Sequence, residues 1–359
     1  MRTAIAIPAR FPAAQLVERA AFASVAAAFG LNGITRPEDV AARLWRDDKV
    51  IAVLNARAAV DPAKASQAGW AAELVTDAYR QFLGSLQPAS AASRLITLGM
   101  PAELNGFGEA QYPARSGAPV IVGWVAEGGA IPVAARGMRM VTLGPPKKVA
   151  LLTVVTHELM ARTDAESVFT TVLREDCAAT LDAAYFSTGA ASASAHAGLL
   201  NGVSPLMASG DGGEHAAAQD LGALAEAVAD GGSGQVVFIV SAKRAASFPI
   251  FFPELSKNVT ILASAALPND RVVAVDPVAL IHSVDTAPEI TASKHTAIQM
   301  ETAPVNLSAA GSPNVVAAPI ASMFQSGQIA LRIISAMTFA KRTANAVAYM
   351  DAVEWSAAS

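Results

Sequence analysis

Between Phe107 and Gly144 the chain combines runs that favour extended backbone with clusters of glycine and proline. Pro119-Val120-Ile121-Val122 and Met138-Arg139-Met140-Val141-Thr142-Leu143 are strand-like, and between them stand Gly128, Gly129 and Pro132, which interrupt regular structure. The pattern predicts a long two-stranded excursion with an irregular tip. Such a ribbon cannot bury both faces against its own subunit, and a lone hairpin is marginal in water. It therefore needs a surface to lie on, which the sequence assigns to a neighbouring copy.

Helical patterns precede this segment. Alanines interspersed with Leu16, Val17, Phe22 and Val25 end at Gly30, a common helix stop. Thr35-Arg36-Pro37-Glu38 predicts a second start, with Thr35 capping, Pro37 in the first turn and Glu38 completing a capping box; Val40, Leu44, Ile51 and Leu54 then share one face. A further amphipathic helix is predicted from Trp70 to Leu86, and strand propensity begins at Leu95-Ile96-Thr97-Leu98.

After the ribbon, residues 149–155 read as a buried strand. Thr163-Asp164-Ala165-Glu166 caps the longest predicted helix, which runs to Phe186. Its apolar stripe is read as Val168, Val172, Leu173, Ala179, Ala183 and Phe186, with Arg174, Glu175, Asp176 and Asp182 at polar positions. Small residues from Ser187 to Ala195 form a connector. A short helix over 220–229 follows, with Leu221, Leu224 and Val228 inward, then strands at 236–240, 259–262, 271–275 and 279–282. An extended run from Gln328 to Ile334 and a strand over 347–350 close the chain before Trp355.

At 359 residues the chain can bury one large core or two modest ones, because domains usually run to about 100–200 residues. The formal net charge is −4 with 16% charged residues, so no overall basic excess marks a sequence-specific DNA regulator. The single cysteine, Cys177, cannot form an internal disulfide, fits a reducing compartment, and reads as a small core residue. Although 53% of residues are apolar, no uninterrupted apolar run approaches the ~18–20 residues of a membrane span. The start of the chain also lacks the apolar region and cleavage box of a secretion signal, so a soluble chain is expected. Much of the apolar fraction is alanine, which contributes little area, so stability is expected to lean on contacts between subunits as well as on the core.

Enzymatic readings fall away one by one. His157-Glu158-Leu159-Met160-Ala161 begins like a zinc-protease helix, but Ala161 stands where the second metal-binding histidine must be. Gly231-Gly232-Ser233-Gly234-Gln235 lacks the second glycine of a nucleophile elbow, and no Gly-Lys-Ser/Thr phosphate loop occurs. His196, His215, His282 and His295 are scattered and read as surface or loop residues. No catalytic residue, metal or cofactor is expected.

A positive identification comes from ordered motifs. Gly123-Trp124-Val125-Ala126-Glu127-Gly128-Gly129-Ala130-Ile131-Pro132, then Lys147-Lys148-Val149-Ala150-Leu151-Leu152, then Thr156-His157-Glu158-Leu159 resemble the major capsid proteins of tailed bacteriophages. Met323-Phe324-Gln325-Ser326-Gly327-Gln328-Ile329-Ala330-Leu331-Arg332 resembles the returning strand of that family, and Asn345-Ala346-Val347-Ala348-Tyr349 its closing strand. The order follows the Hong Kong ninety-seven type capsid fold over about four-fifths of the chain.

The resemblance implies an α+β phage major capsid fold. An N-terminal arm and helical segment would span 1–106, an extended β-hairpin loop 107–144, a peripheral domain with spine helix and long sheet 145–196, an axial α/β domain 197–320, and a return to the peripheral domain 321–359. It implies a structural protein, assembled in the bacterial host cytoplasm, whose pentamers and hexamers form the icosahedral head of an active phage or prophage. The implied partners are further copies of the chain, a scaffold protein or maturation protease, a portal, a decoration protein, and enclosed double-stranded DNA without sequence specificity; no membrane is implied. An encapsulin-like nanocompartment shell is the alternative.

On the same basis Trp124, Glu127, Gly128, Gly129, Ile131 and Pro132 fall on the subunit interface of the extended loop, and Lys147, Lys148, Gln325 and Arg332 on peripheral-domain contacts. From the residues alone, Trp124 is either a core aromatic or a contact anchor, since tryptophan is enriched at binding hot spots. Glu127 is either solvated or half of an inter-subunit ion pair. Lys147 and Lys148 are either a solvated edge or partners of a neighbour's carboxylates. Crosslinking members of the family carry a lysine directly before the motif's proline; here Ile131 has no amine, which implies shells held non-covalently.

Overall fold

Helix Ala14–Phe29 is buried on nearly every side, because Ala20, Ala21, Ala23, Ala26 and Ala27 let neighbouring backbone approach closely. The structure is a computed structural model that describes residues 14–30, 34–45, 82–83, 86, 90–102, 108–115, 124, 127, 137–160, 165–229, 234–284, 289–299, 308–309, 315–316 and 320–355. Their fold is α+β, in two compact units. The first draws on Met1–Leu86, Val149–Cys177 and Asp285–Ser335, the second on Gln87–Lys148, Ala178–Val284 and Ala336–Ser359. Among the described residues no helix is long and apolar enough to cross a membrane.

In the first unit Leu16, Ala20 and Val25 share a core with Val155, Phe169, Leu173, Ile329, Leu331 and Ile333. Phe22 makes edge contacts with Trp45 and Phe169, ring centroids 6.1 and 6.0 Å away. Glu18, 2% exposed, is tolerated there because Arg174 Nη2 donates to its Oε2 at 2.7 Å. The helix stops at Gly30, whose φ of +68° suits a residue without Cβ. The next helix, Pro37–Leu44, has proline in its first turn as predicted, but Arg36, not Thr35, is the N-cap and makes no side-chain cap bond. The expected capping box is therefore absent.

Strand Lys147–Thr156 corrects a second expectation. It alternates exposed and half-buried positions where 149–155 was read as buried, because it lies at the margin of its sheet, next to Gln328–Lys341. Leu151 and Val155 pack on the core while Lys148, Ala150 and Leu152 face out. Strand Glu289–Ser293 pairs antiparallel with Gln328–Lys341, Ala330 opposite Ser293 and Ile334 opposite Glu289.

The second unit holds a four-stranded sheet in the order Val347–Met350, Val272–Val275, Val237–Ser241, Thr260–Ser264. The first three of these strands are buried at every position, which explains their continuous apolar runs. Helix Gly213–Ala229 begins earlier than predicted but turns Leu221, Leu224 and Val228 inward as expected. Phe248 packs on Phe252 and Trp355, and Trp355 Nε1 donates to Asp220 Oδ2 at 2.8 Å.

Two further readings change in this unit. The 95–98 run, read as strand, lies in helix Ala91–Leu98, because Ser90 Oγ accepts from Ser93 N–H and the distant Asp182 carboxylate accepts from Ala91 and Ala92 N–H. A tertiary cap overrides local β propensity. Strand Met138–Leu143 forms as predicted but pairs with Ala110–Arg115, where the 119–122 run was expected. The earlier strand was obscured by Pro113, which a two-stranded ribbon tolerates at its edge.

The long helix runs Ala165–Tyr185, close to its predicted span. Its buried positions are Phe169, Leu173, Ala178, Leu181, Asp182 and Tyr185; Val172 and Ala183, read as inward, are exposed, and Asp182, read as a polar-face residue, is fully buried. The large side chains at 169, 173, 181 and 185 set the inward face. The predicted 119–122 strand, Ile51, Leu54, Trp70, Tyr79, Thr163 and Asp164 lie outside the described residues.

Candidate functional site

Period-two alternation gives the 110–115/138–143 ribbon two unlike faces. Ala110, Tyr112 and Ala114 stand opposite Leu143, Val141 and Arg139, and this row contains the buried Ala114 and Leu143. Pro113 stands opposite Met140 on the other face, where Met138 and Met140 are 63% and 57% exposed. Arg139 Nη2 reaches back to donate to the Arg342 carbonyl at 2.6 Å.

Trp124 is fully exposed, so within its own chain it is not a core aromatic. Glu127 is exposed in a turn, and Gly128, Gly129, Ile131 and Pro132 lie outside the described residues. Lys147 Nζ donates to the Ala193 carbonyl at 2.9 Å, while Lys148 is exposed on the opposite strand face. Gln325 is exposed in the turn before the long strand. Arg332 Nη2 lies 2.6 Å from Glu289 Oε1, with both side chains well exposed, a geometry worth about 0–1 kcal/mol. Lys147 and Lys148 belong to the second unit, Gln325 and Arg332 to the first.

Sequence reasoning missed the most constrained polar groups. The fully buried Asp182 carboxylate accepts from Ser90 Oγ, Ala91 N, Ala92 N, Ser264 Oγ and Ala265 N. Burial pushes its pKa up, while the bonds from Ser264, Ser90, Ala92 and Ala265 pull it down. Its signal was available: 182 is one turn from both Ala178 and Phe186, so a carboxylate falls on an apolar stripe.

His282 is not a surface residue. Strand Leu280–Val284 places it 3% exposed, stacked on Tyr185 at 5.8 Å between ring centroids and hydrogen-bonded to the Tyr185 hydroxyl. Burial lowers its pKa from 6.5 to about 3, keeping the ring neutral. Its flanks, Leu280 and Ile281, were the clue. Cys177 is half-buried against the first core, and burial, then Asp176 and Glu18, raise its thiol pKa to about 12; the thiol stays protonated and inert.

No family model matches the sequence. The chain is similar to the capsid polyprotein of Pseudomonas phage PAJU2, 28% identical over 346 residues that take in 87% of this chain and 50% of that protein. It thus spans about half the length of the curated relative it matches. Among solved structures it resembles a chain from Mycobacterium phage Cain, TM-score 0.48 and 14% identity, covering 75% of this chain and 91% of the other. A chain of the satellite phage P4 procapsid including size determination protein gives 0.45 and 11%, over 78% and 92%.

Proposed function

We propose that this chain is a structural major capsid protein of a tailed phage with the Hong Kong ninety-seven type fold. Its copies form pentamers and hexamers that close an icosahedral head around double-stranded DNA, with no substrate turned over. The observation that carries this reading is the similarity to a capsid polyprotein across 87% of the chain. That relative does not favour the nanocompartment alternative.

The geometry adds support at the ribbon. Trp124, Met138 and Met140 are large apolar groups displayed to solvent, where an assembled shell supplies cover. In this reading 107–144 is the extended loop, 165–185 the spine helix, and Lys147, Lys148, Gln325 and Arg332 lie where subunits meet. A scaffold or maturation protease, a portal and a decoration protein complete the assembly.

The test is negative-stain microscopy of particles purified from infected or induced host cells, beside a nuclease-protection assay. Closed shells holding nuclease-resistant DNA are expected. Shells enclosing a protein cargo and no DNA, or a chain found in no particle, would overturn the reading.

A further inference from the structure

Outside the 107–144 segment, three large apolar side chains of the second unit stand furthest into solvent among the described residues: Met207 at 93%, Ile250 at 77% and Phe251 at 63%. They fall into two patches of different build.

Met207 borders an open groove of about 520 Å³ between residues 205–210 and 351–354. The buried Asp220 ties its two walls together, accepting from Ser209 N–H at 2.7 Å and from Trp355 Nε1 at 2.8 Å. At one end Leu206 N–H donates to the Tyr349 carbonyl at 2.8 Å. Ala352 lines the groove at a φ of +57°, which carries a steric cost for any residue with a Cβ. Its neighbours hold it there: Arg271 grips the Asp351 carboxylate, and Val353 N–H donates to the Asp270 carbonyl at 2.9 Å. Strain kept in this way clusters where a surface is shaped for binding. Asp351 and Glu354 line the groove and no lysine or arginine does; Arg271 offsets Asp351, which leaves the exposed Glu354 to set the sign.

The second patch is helical. Helix Ala242–Phe251 is anchored by one face, where Phe248 packs on Phe252 and Trp355 and Arg244 Nη2 donates to the Val353 carbonyl at 2.8 Å. Lys243, Ala246 and Ile250 repeat at the spacing of another face and are all exposed, with Phe251 following at the helix end. No acidic residue occurs from Ala242 to Pro253, so this patch is apolar and positive. Neither Ile250 nor Phe251 lines the groove of its own chain.

A contact between like patches would set Glu354 against Glu354 or Lys243 against Lys243. A contact between unlike patches pairs opposite charges and lets an aromatic anchor enter an open groove. Symmetry makes the same choice, because isologous contacts give two-fold pairs, whereas a pentameric or hexameric ring needs two different patches on every copy. We infer that Ile250 and Phe251 of one copy seat in the Met207 groove of the next, and that this head-to-tail contact, repeated about an axis, closes the rings. This rests on the capsid reading and names the surfaces by which its subunits join.

The experiment uses full-length chains carrying Met207→Cys, Phe251→Cys or both, with the purified assemblies treated with a short bis-maleimide and run on a denaturing gel. Wild type is the control, since its Cys177 is half-buried. The double variant should give a ladder of covalent multimers that ends at the ring size. Assemblies mixed from the two single variants should give dimers and nothing larger, and each single variant alone should give monomers. Dimers from one single variant would mean that like patches meet. Assemblies of the double variant without a ladder, or a crosslink from the Met207→Cys chain to a different polypeptide, would mean that something else fills the groove; any of these results refutes the contact.

Where the cysteine variants give no assemblies, the charges decide. Glu354→Lys and Lys243→Glu should each lower particle yield about tenfold with the circular dichroism spectrum unchanged, and the two together should recover it to within about threefold. Full yield from both single variants, or a double variant no better than either, sinks the inference. Microscopy of the wild-type chain reports separately on the capsid reading: shells without the ladder keep that reading and end this contact, whereas a ring-sized ladder from a chain that forms no shell does the reverse.

Discussion

Replacing Asp182 with alanine should unfold the second unit's central polar junction. The carboxylate accepts from five donors that come from the start of helix Ala91–Leu98 and the end of strand Thr260–Ser264. Two of the donors are hydroxyls, which can rotate, and Ala91 N–H is long at 3.3 Å. The firm losses are Ala92 N–H at 3.0 Å and Ala265 N–H at 3.1 Å, stranded beside a site of no exposure. At about 1–3 kcal/mol for each unsatisfied buried group, Asp182→Ala should destabilise by about 3–5 kcal/mol. Asp182→Asn keeps the shape but turns an amide donor toward other donors, at about 2–3 kcal/mol. Ser264→Ala removes one hydroxyl and should cost about 1 kcal/mol.

Urea unfolding of the full chain, followed by circular dichroism and by hydrogen exchange on peptides spanning 90–98 and 260–266, measures the series. With m near about 3 kcal/mol per molar, the alanine variant should lower the second unit's midpoint by about 1–2 M. Faster exchange should appear first at Ala92 and Ala265. A midpoint within about 0.3 M of wild type, or an asparagine variant indistinguishable from it, would show that the carboxylate is not the clamp.

His282 gives a pH prediction. Its folded pKa lies below its unfolded value of 6.5, so the unfolded chain binds the extra proton, and stability present above pH 6.5 is lost as pH falls toward 3. Between pH 7 and 5 this amounts to about 2 kcal/mol, which His282→Leu should largely abolish in paired melts at the two pH values. Gly99→Ala would set a Cβ 2.4 Å from His282 Nδ1 and 3.1 Å from the Leu95 carbonyl. A loss of about 1–3 kcal/mol in a thermal melt is expected, partly recovered when His282→Ala opens the space. Ala178→Pro, in the middle of helix Ala165–Tyr185, should cost about 3 kcal/mol or more and leave no shells by microscopy; normal particles would contradict it.

What could be read from the sequence was what depends on local pattern. Helix Ala165–Tyr185, strand Val347–Met350, the stop at Gly30 and the inward face of Leu221, Leu224 and Val228 all follow from periodicity or a single backbone preference. The misreadings share another cause. Leu95-Ile96-Thr97-Leu98 is helical because a carboxylate from 182 caps the helix, and residues 149–155 alternate because their strand has an open margin, neither of which leaves a local trace. The motif around Trp124 pointed to a family, while the carbonyl partners of Arg139, Lys147, Lys341 and Arg342 come from distant parts of the chain and leave no local trace.

The burial of helix Ala14–Phe29 has a consequence for biosynthesis. Its core partners include Phe169 and Leu173, but also Ile329, Leu331 and Ile333. At elongation rates of about 5–20 residues per second, the strand that carries those last three leaves the ribosome roughly 15–60 seconds after the helix does. The second unit is no faster, since its sheet waits for Val347–Met350 and its aromatic cluster for Trp355. Neither unit can close its core until residues 329–355 have been made, so a nascent chain holds the apolar helix Ala14–Phe29 without part of its cover. That interval is when a chaperone has the most apolar surface to hold.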